Sequence, residues 1–227
     1  MNISHENIAR SIDHTLLKPD STGIDIMRLC SEAVSFGFGA VCVNPSRVAL
    51  AAEALSGSGV RVCAVAGFPL GASNTAVKAV EAAAAVRDGA GEIDMVINIG
   101  MLKDGKLKLV YEDVRAVVKS AAAADPLTLV KVIIETCYLT DEEKEAACRI
   151  CERAGARFIK TSTGTGPTGA TVEDVGLIRN SVSASMGIKA SGGIKTLEQV
   201  LKMLEAGATR IGTSSGVQIM KEILNKR

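Results

Sequence analysis

Residues 141–164 read "DEEKEAACRICERAGARFIKTSTG", and this stretch contains one full repeat of an alternating architecture. Thr140 with Glu143 fits a capping box, where a hydroxyl and a carboxylate satisfy free amides at a helix start. The helix-like run "DEEKEAACRICERAG" stops at Gly155-Ala156, since glycine suits the left-handed position beyond a helix end. "RFIKTS" (157–162) follows as a strand and gives way to a loop of Thr, Ser and Gly. Lys160 stands where that strand's pattern asks for a buried aliphatic. A lysine is rarely buried without a partner, because desolvating its charge costs several kcal/mol.

The same unit recurs outward from this stretch. Gly39-Ala40, Gly89-Ala90 and Gly207-Ala208 repeat the helix stop, and Thr196 with Gln199 repeats the cap. Strand-like runs occur at 11–17, 40–44, 61–67, 92–98, 129–135, 157–162, 187–191 and 209–214, eight in all. Several are apolar on both parities, as parallel strands covered on both faces are. No Pro/Gly/Ser linker divides the chain, so residues 1–227 are expected to form one domain. Eight strands alternating with helices over 227 residues predict a single-domain α/β fold, a closed (β/α)8 TIM barrel. An open doubly wound sheet is the alternative. In a barrel the chemistry belongs at the C-terminal ends of the strands and in the loops after them.

Composition narrows the function. Apolar residues make up 47% and aromatics only 3%, so the core must be aliphatic. Lys and Arg total 26 against 25 acidic residues, which argues against nucleic-acid or membrane-surface partners held by global charge. No signal-peptide h-region and no run of about 20 apolar residues is visible. With six cysteines in an untargeted chain, a cytoplasmic protein with reduced thiols is expected. Cys148 and Cys151 form a CxxC, but inside a helix and without a second ligand pair they read as packing thiols.

Strand C-terminal halves carry the polar residues that an aliphatic core does not explain. Strand one holds Asp13 and Thr15, strand four Asp94 and Asn98, and strand five Lys131 and Glu135. Strand six ends in Lys160-Thr161-Ser162, strand seven carries Lys189 and Ser191, and strand eight ends in Thr213-Ser214-Ser215. Neighbouring strands lie about 4.8 Å apart, so Lys160 and Lys189 meet if both point inward. A nearby cation and partial burial both lower a lysine's pKa, and a neutral amine attacks carbonyls to form a Schiff base. Lys160 is therefore the expected nucleophile. Lys189 is its expected partner and Asp94 the proton shuttle, with Lys131 holding Asp94 in place. The plainer alternatives are salt bridges closing the barrel interior and a snorkelling Lys189.

Two glycine clusters, "ASGGIKT" (190–196) and "GTSSGVQIM" (212–220), each precede a helix start. Barrels often seat a phosphate on such amides after strands seven and eight, which points to Gly192, Gly193, Gly212, Ser214 and Ser215. "GTGPTG" (164–169) matches a dinucleotide fingerprint, but it contains Pro167 and lacks the acidic ribose partner about 20 residues on. His5 and His14 are the only histidines, and no metal-ligand spacing appears. His14 is expected to pack or bond within strand one.

At this point the chain resembles the deoxyribose-phosphate aldolases. The motifs are "IDHTLLKP" (12–19), "AVCVNP" (40–45), "GFPLG" (67–71), "EIDMVINIG" (92–100), "KVIIET" (131–136), "FIKTSTG" (158–164), "IKASGGI" (188–194) and "RIGTSS" (210–215). Together they cover nearly the whole length in order. The resemblance implies a class I lyase on a (β/α)8 barrel that needs no metal or cofactor. It implies reversible cleavage of 2-deoxy-D-ribose 5-phosphate to acetaldehyde and D-glyceraldehyde 3-phosphate, in deoxyribose phosphate catabolism. It places the Schiff base on Lys160, the second lysine on Lys189 and the proton-transfer aspartate on Asp94. Lys131 falls on a supporting lysine, Cys42 on a pocket thiol, and Gly164 in the loop beside the substrate. Some relatives carry a second lysine after "TSTG" where this chain has Thr165, which shifts phosphate recognition towards backbone amides, Ser214 and Ser215. Ketose-type Schiff-base aldolases and a silent sugar-phosphate-binding barrel are the rivals. Barrels of this kind often pair, so a homodimer is the expected assembly.

Overall fold

The structure, a computed structural model, describes residues 4–224. The two ends of the domain expected over 1–227 lie outside these residues. Every predicted strand forms: β1 (Ile12–Leu16), β2 (Ala40–Val43), β3 (Arg61–Ala66), β4 (Glu92–Val96), β5 (Leu129–Ile133), β6 (Phe158–Lys160), β7 (Gly187–Ser191) and β8 (Arg210–Thr213). Each pairs in parallel with its sequence neighbour, and β1 pairs with β8, closing the barrel. The open-sheet alternative is thereby excluded.

Helices occupy the connections. In chain order they are α1 (His5–Ser11), α2 (Gly23–Phe36), α3 (Val48–Ala54), α4 (Thr75–Arg87) and α5 (Ile99–Lys103). After these come α6 (Leu107–Ala124), α7 (Asp141–Ala154), α8 (Val172–Ser181), α9 (Leu197–Glu205) and α10 (Gly216–Leu224). The capping boxes read at Thr140 and Thr196 both form, and Thr22 with Asp25 adds a third at the start of α2. Gly39 is a correction. α2 ends two residues earlier, with Gly37 as its left-handed cap at φ 69°. Gly39 is small for another reason: a Cβ there would stand 2.2 Å from the Arg10 carbonyl oxygen.

The aliphatic core lies between sheet and helices, not inside the barrel. Ile93, Met95, Val130, Val132, Ile159, Ile188 and Ile211 belong to it, and helix residues such as Val114, Val117, Ile178 and Val200 pack from outside. Each such side chain stabilises by about 2 kcal/mol when fully buried, and Ile→Ala costs about 2–5 kcal/mol once the cavity is counted. The inward parity is different. There Cys42, Cys63 and Val65 form a small separate cluster, and buried charged side chains stand among the inward-facing residues. Cys148 and Cys151 are buried in α7 as free thiols, and burial pushes Cys148 up to about 12. Among the described residues no helix is long and apolar enough to cross a membrane.

Candidate active site

Parallel register decides which side chains meet. Lys160 on β6 stands opposite Lys189 on β7, and Asp94 on β4 opposite Lys131 on β5. All four turn inward, and Asp94 is their hub. Its Oδ1 accepts from Lys131 Nζ at 2.8 Å, while Oδ2 accepts from Lys160 at 2.8 Å and Lys189 at 2.7 Å. Lys189 also bonds Asp13 Oδ2. Below them, Arg210 donates to Asp13 Oδ1 at 2.7 Å and to Glu92 Oε1 at 3.0 Å. Lys131 Nζ lies 2.6 Å from Glu92 Oε2 as an ion pair.

The count of charges matters more than any single contact. Lys131, Lys160, Lys189 and Arg210 supply four cations inside the barrel, against three carboxylates on Asp13, Glu92 and Asp94, while the exposed Arg61 reaches Glu92 from solvent at 3.5 Å. Buried charge is tolerated when compensated and costly when it is not. The cluster therefore balances when one lysine is a neutral amine. Lys160 makes a single carboxylate contact here, whereas Lys131 and Lys189 each make at least two.

These contacts set the titration of the neighbours. Burial works to raise Asp94, but Lys131, Lys160 and Lys189 outweigh it and hold the carboxyl well below the usual range. Asp13 follows the same pattern: burial raises it, and Lys189, Lys131 and Arg210 bring it down to about 2. Cation crowding was expected to lower the lysines. For Lys189 the structure reverses that: burial lowers it, yet Asp13 and Asp94 together raise it above the ordinary lysine value. Lys131 is likewise raised against burial, chiefly by Asp94.

A cleft of about 430 Å3 opens over the cluster at the C-terminal end of the barrel. Lys160 is part of its wall, while Asp13, Asp94, Lys131 and Lys189 lie fully buried beneath. Thr15, Gly164, Gly192, Gly193, Gly212 and Ser214 line the cleft as placed from sequence. Two expected residues do not. Ser215 faces a neighbouring groove with His14 and Glu32, and its amide is taken by Thr213 Oγ1 at 2.9 Å. Cys42 is buried under the site, its Sγ 4.0 Å from Asp94 Oδ2, so it touches the hub rather than the cleft. His14 does not bond within its strand but reaches Glu32 on α2 at 2.7 Å and packs on Phe38. The "GTGPTG" loop curls against the glycine turn after β7: a Cβ on Gly169 would sit 2.1 Å from the Gly192 carbonyl oxygen.

Sequence reasoning missed Glu92 and Arg210, which sit at strand starts, and Lys18 and Lys195, which line the cleft from its rim. Cys42, Cys63 and Asp94, or Asp13, Cys63 and Glu92, bring ligand atoms within 4.8 Å of one another. Both sets are already engaged by ammonium groups, Lys131 lying 3.3 Å from Cys63 Sγ and 2.8 Å from Asp94. A divalent ion would have to displace that lysine.

A carboxylate-held lysine at the floor of a cleft, on the C-terminal face of a closed (β/α)8 barrel, defines an enzyme built for amine–carbonyl chemistry. The comparisons with known proteins make this specific. The family model described as DeoC/LacD family aldolase matches residues 8–226. The deoxyribose-phosphate aldolase of Carboxydothermus hydrogenoformans is 56% identical over 223 residues, covering 98% of each chain. That of Thermococcus gammatolerans is 58% identical over 221 residues, covering 96% of this chain and 97% of its own. The structure titled a unique tetrameric deoxyribose phosphate aldolase from Aeropyrum pernix superposes with a TM-score of 0.90 at 33% identity, over 99% of this chain and 94% of that one. The chain belongs to the DeoC/LacD family of aldolases.

Proposed function

We propose that this chain is a class I lyase that reversibly cleaves 2-deoxy-D-ribose 5-phosphate to acetaldehyde and D-glyceraldehyde 3-phosphate through a Schiff base on Lys160. One observation carries the reading: Lys160 is the cleft-facing member of a buried cluster with one cation more than its carboxylates balance. Releasing a proton from Lys160 leaves Lys131, Lys189 and Arg210 against Asp13, Glu92 and Asp94.

The neutral amine attacks the C1 aldehyde of the open-chain sugar and forms a carbinolamine. Lys189, an ammonium held by two carboxylates, donates a proton to the leaving hydroxyl through the shared Asp94 Oδ2 or a water. Loss of water gives an iminium whose positive charge replaces that of the lysine, 2.8 Å from Asp94 in the resting enzyme. This cation is the electron sink. A base takes the C3 hydroxyl proton, the C2–C3 bond breaks, and its electrons form the enamine between C1 and C2. Glyceraldehyde 3-phosphate departs. Protonation of the enamine at C2 and hydrolysis of the iminium release acetaldehyde and restore Lys160. The lysine itself supplies the sink, so the mechanism calls on no metal or cofactor.

The phosphate is read by the turn at Gly192 and Gly193 with Gly212 and Ser214, and Lys18 and Lys195 supply charge from the rim. We place the enzyme in the cytoplasm, which suits its six free thiols. We also read it as an assembly of identical chains, at least a dimer. Intact-mass analysis after acetaldehyde and borohydride tests the mechanism. One ethyl group should appear per chain, on Lys160, and none on Lys160→Ala. Labelling at any other side chain refutes the assignment.

A further inference from the structure

We propose that Glu135 is a positioning residue that makes Thr165 a hydrogen-bond acceptor at the cleft, so that Thr165 selects for a hydroxyl of the substrate and not for its phosphate. The inference rests on the aldolase reading above.

Glu135 follows β5 and, among the described residues, is the one non-glycine residue with positive φ, at 54°. That conformation is disfavoured for a residue with a side chain, and it persists where surroundings over-determine it. The backbone here is pinned on both sides. Ile134 N–H donates to the Lys160 carbonyl and Thr136 N–H to the Thr161 carbonyl, both at 3.0 Å. The buried Glu135 side chain is thereby aimed at the loop that follows the nucleophile. Thr163 N–H donates to both of its oxygens at 3.2 Å, and Thr163 O–H donates to Oε2. Cys137 Sγ adds a weak contact at 3.9 Å. Each of these partners brings a proton, so the carboxyl group acts purely as an acceptor.

A hydroxyl has one proton and two lone pairs. The proton of Thr163 is committed to Glu135. The 2.9 Å contact between the hydroxyls of Thr163 and Thr165 then has one direction, with Thr165 donating. Thr165 N–H donates to the same oxygen at 3.1 Å. Thr163 is thus saturated, and Thr165 is left with lone pairs and no proton to offer. Thr165 is exposed and lines the cleft together with Lys160 and Gly192. A phosphate oxygen, itself an acceptor, gains nothing from it. A substrate hydroxyl has the proton that Thr165 lacks. The hydroxyl concerned belongs to the glyceraldehyde half, since the acetaldehyde half carries only hydrogen once it is bound to Lys160.

The test is a ratio of specificities. Acetaldehyde is condensed with D-glyceraldehyde 3-phosphate or with 3-oxopropyl phosphate, the same aldehyde without its 2-hydroxyl, and kcat/KM is measured for each. One neutral hydrogen bond is worth roughly 3- to 10-fold. Thr165→Val should lower the ratio by that factor, Glu135→Leu, which leaves the Thr163 proton free to turn towards Thr165, should lower it similarly, and Thr165→Ser should keep it. A folding defect reduces both rates together and leaves the ratio alone, so a simply structural Glu135 gives no change in it. An unmoved ratio in both Thr165→Val and Glu135→Leu overturns the proposal while leaving the aldolase intact. A wild-type enzyme that condenses neither aldehyde and forms no adduct on Lys160 overturns the underlying reading as well.

Discussion

Two buried lysine sites in this molecule look alike by exposure and differ in everything else. Lys78 on α4 is fully buried outside the barrel, where its Nζ meets Asp113 Oδ2 at 2.8 Å and the Val96 carbonyl at 2.9 Å. Asp113 is completed by the Thr75 hydroxyl at 2.9 Å. There is one cation for one anion, every group is used, and neither residue lines the cleft. Burial nonetheless pulls Lys78 below the ordinary lysine value, against the pull of Asp113. Inside the barrel, four cations share three carboxylates and one lysine opens to the cleft. Burial alone does not make a lysine chemical. We propose that a surplus of charge with access to substrate does.

The largest effect that tests this contrast is on turnover. Lys160→Met should lower kcat by at least about 10^4-fold, the scale on which loss of a covalent nucleophile acts. Because it removes the surplus cation, its melting temperature should equal or exceed that of the wild type. A large fall in melting temperature would show that the charge count is wrong. Lys78→Met should do the opposite. It strands Asp113 as a buried uncompensated carboxylate, which costs about 3–5 kcal/mol and roughly 10 °C in melting temperature for a chain of this size. Turnover per folded molecule should hold. Adding Asp113→Leu should recover much of the loss, and the non-additivity of the double variant measures the pair directly.

A smaller effect is expected in acid. Asp13 and Asp94 have folded-state pKa values depressed below the ordinary carboxylate value, Asp13 to about 2. Their contribution is fully present above pH 3.8 and is lost as pH falls from there through the folded values. Asp13 alone accounts for about 2 kcal/mol of that loss. Urea unfolding should therefore give a flat stability from pH 7 to about 5 and a decline towards pH 2. The decline should be shallower in a variant where Lys189→Met removes the largest attraction on Asp13. An equal decline in both would place the acid-labile groups elsewhere.

How much of this was legible in the sequence depends on where each residue stands. The eight strands could be read because both faces are covered, and β-branched runs then stand out on either parity. Lys160, Lys189, Asp94 and Lys131 could be read because polar residues at strand C-termini have no other reason to interrupt such runs. Glu92 and Arg210 could not, since they begin their strands and form the layer beneath, where attention to C-terminal ends does not reach. Glu92 shares the parity of Asp94, and that was the available signal. Lys78 in "TAVKAVEAAAAV" looks like a solvated helix lysine. Its partners, the Val96 carbonyl and Asp113, lie 18 and 35 residues away, and only the closed barrel brings them together. Ser215 stands beside Ser214 in sequence, yet the start of α10 turns it into the neighbouring groove.

The rim supplies a third kind of lysine and the smallest expected effect. Lys18 and Lys195 are exposed at the cleft mouth, so solvent screens whatever they do. A charge of this kind contributes about 0.2–1 kcal/mol, and Lys195→Ala should raise KM for deoxyribose 5-phosphate by roughly two- to fivefold. In the proposed mechanism the chemical step draws on the buried cluster, which this substitution does not touch, so the loss should fall on KM rather than on kcat. Salt separates the rim from the interior. The Debye length falls from about 10 Å at 0.1 M to about 3 Å at 1 M, so added salt should raise KM in the wild type and raise it less in Lys195→Ala. The rate of borohydride-trapped adduct formation with acetaldehyde, which carries no phosphate, should not respond to the substitution at all. If that rate falls with KM, the rim and the buried cluster are coupled, and the separation between exposed and interior lysines does not hold.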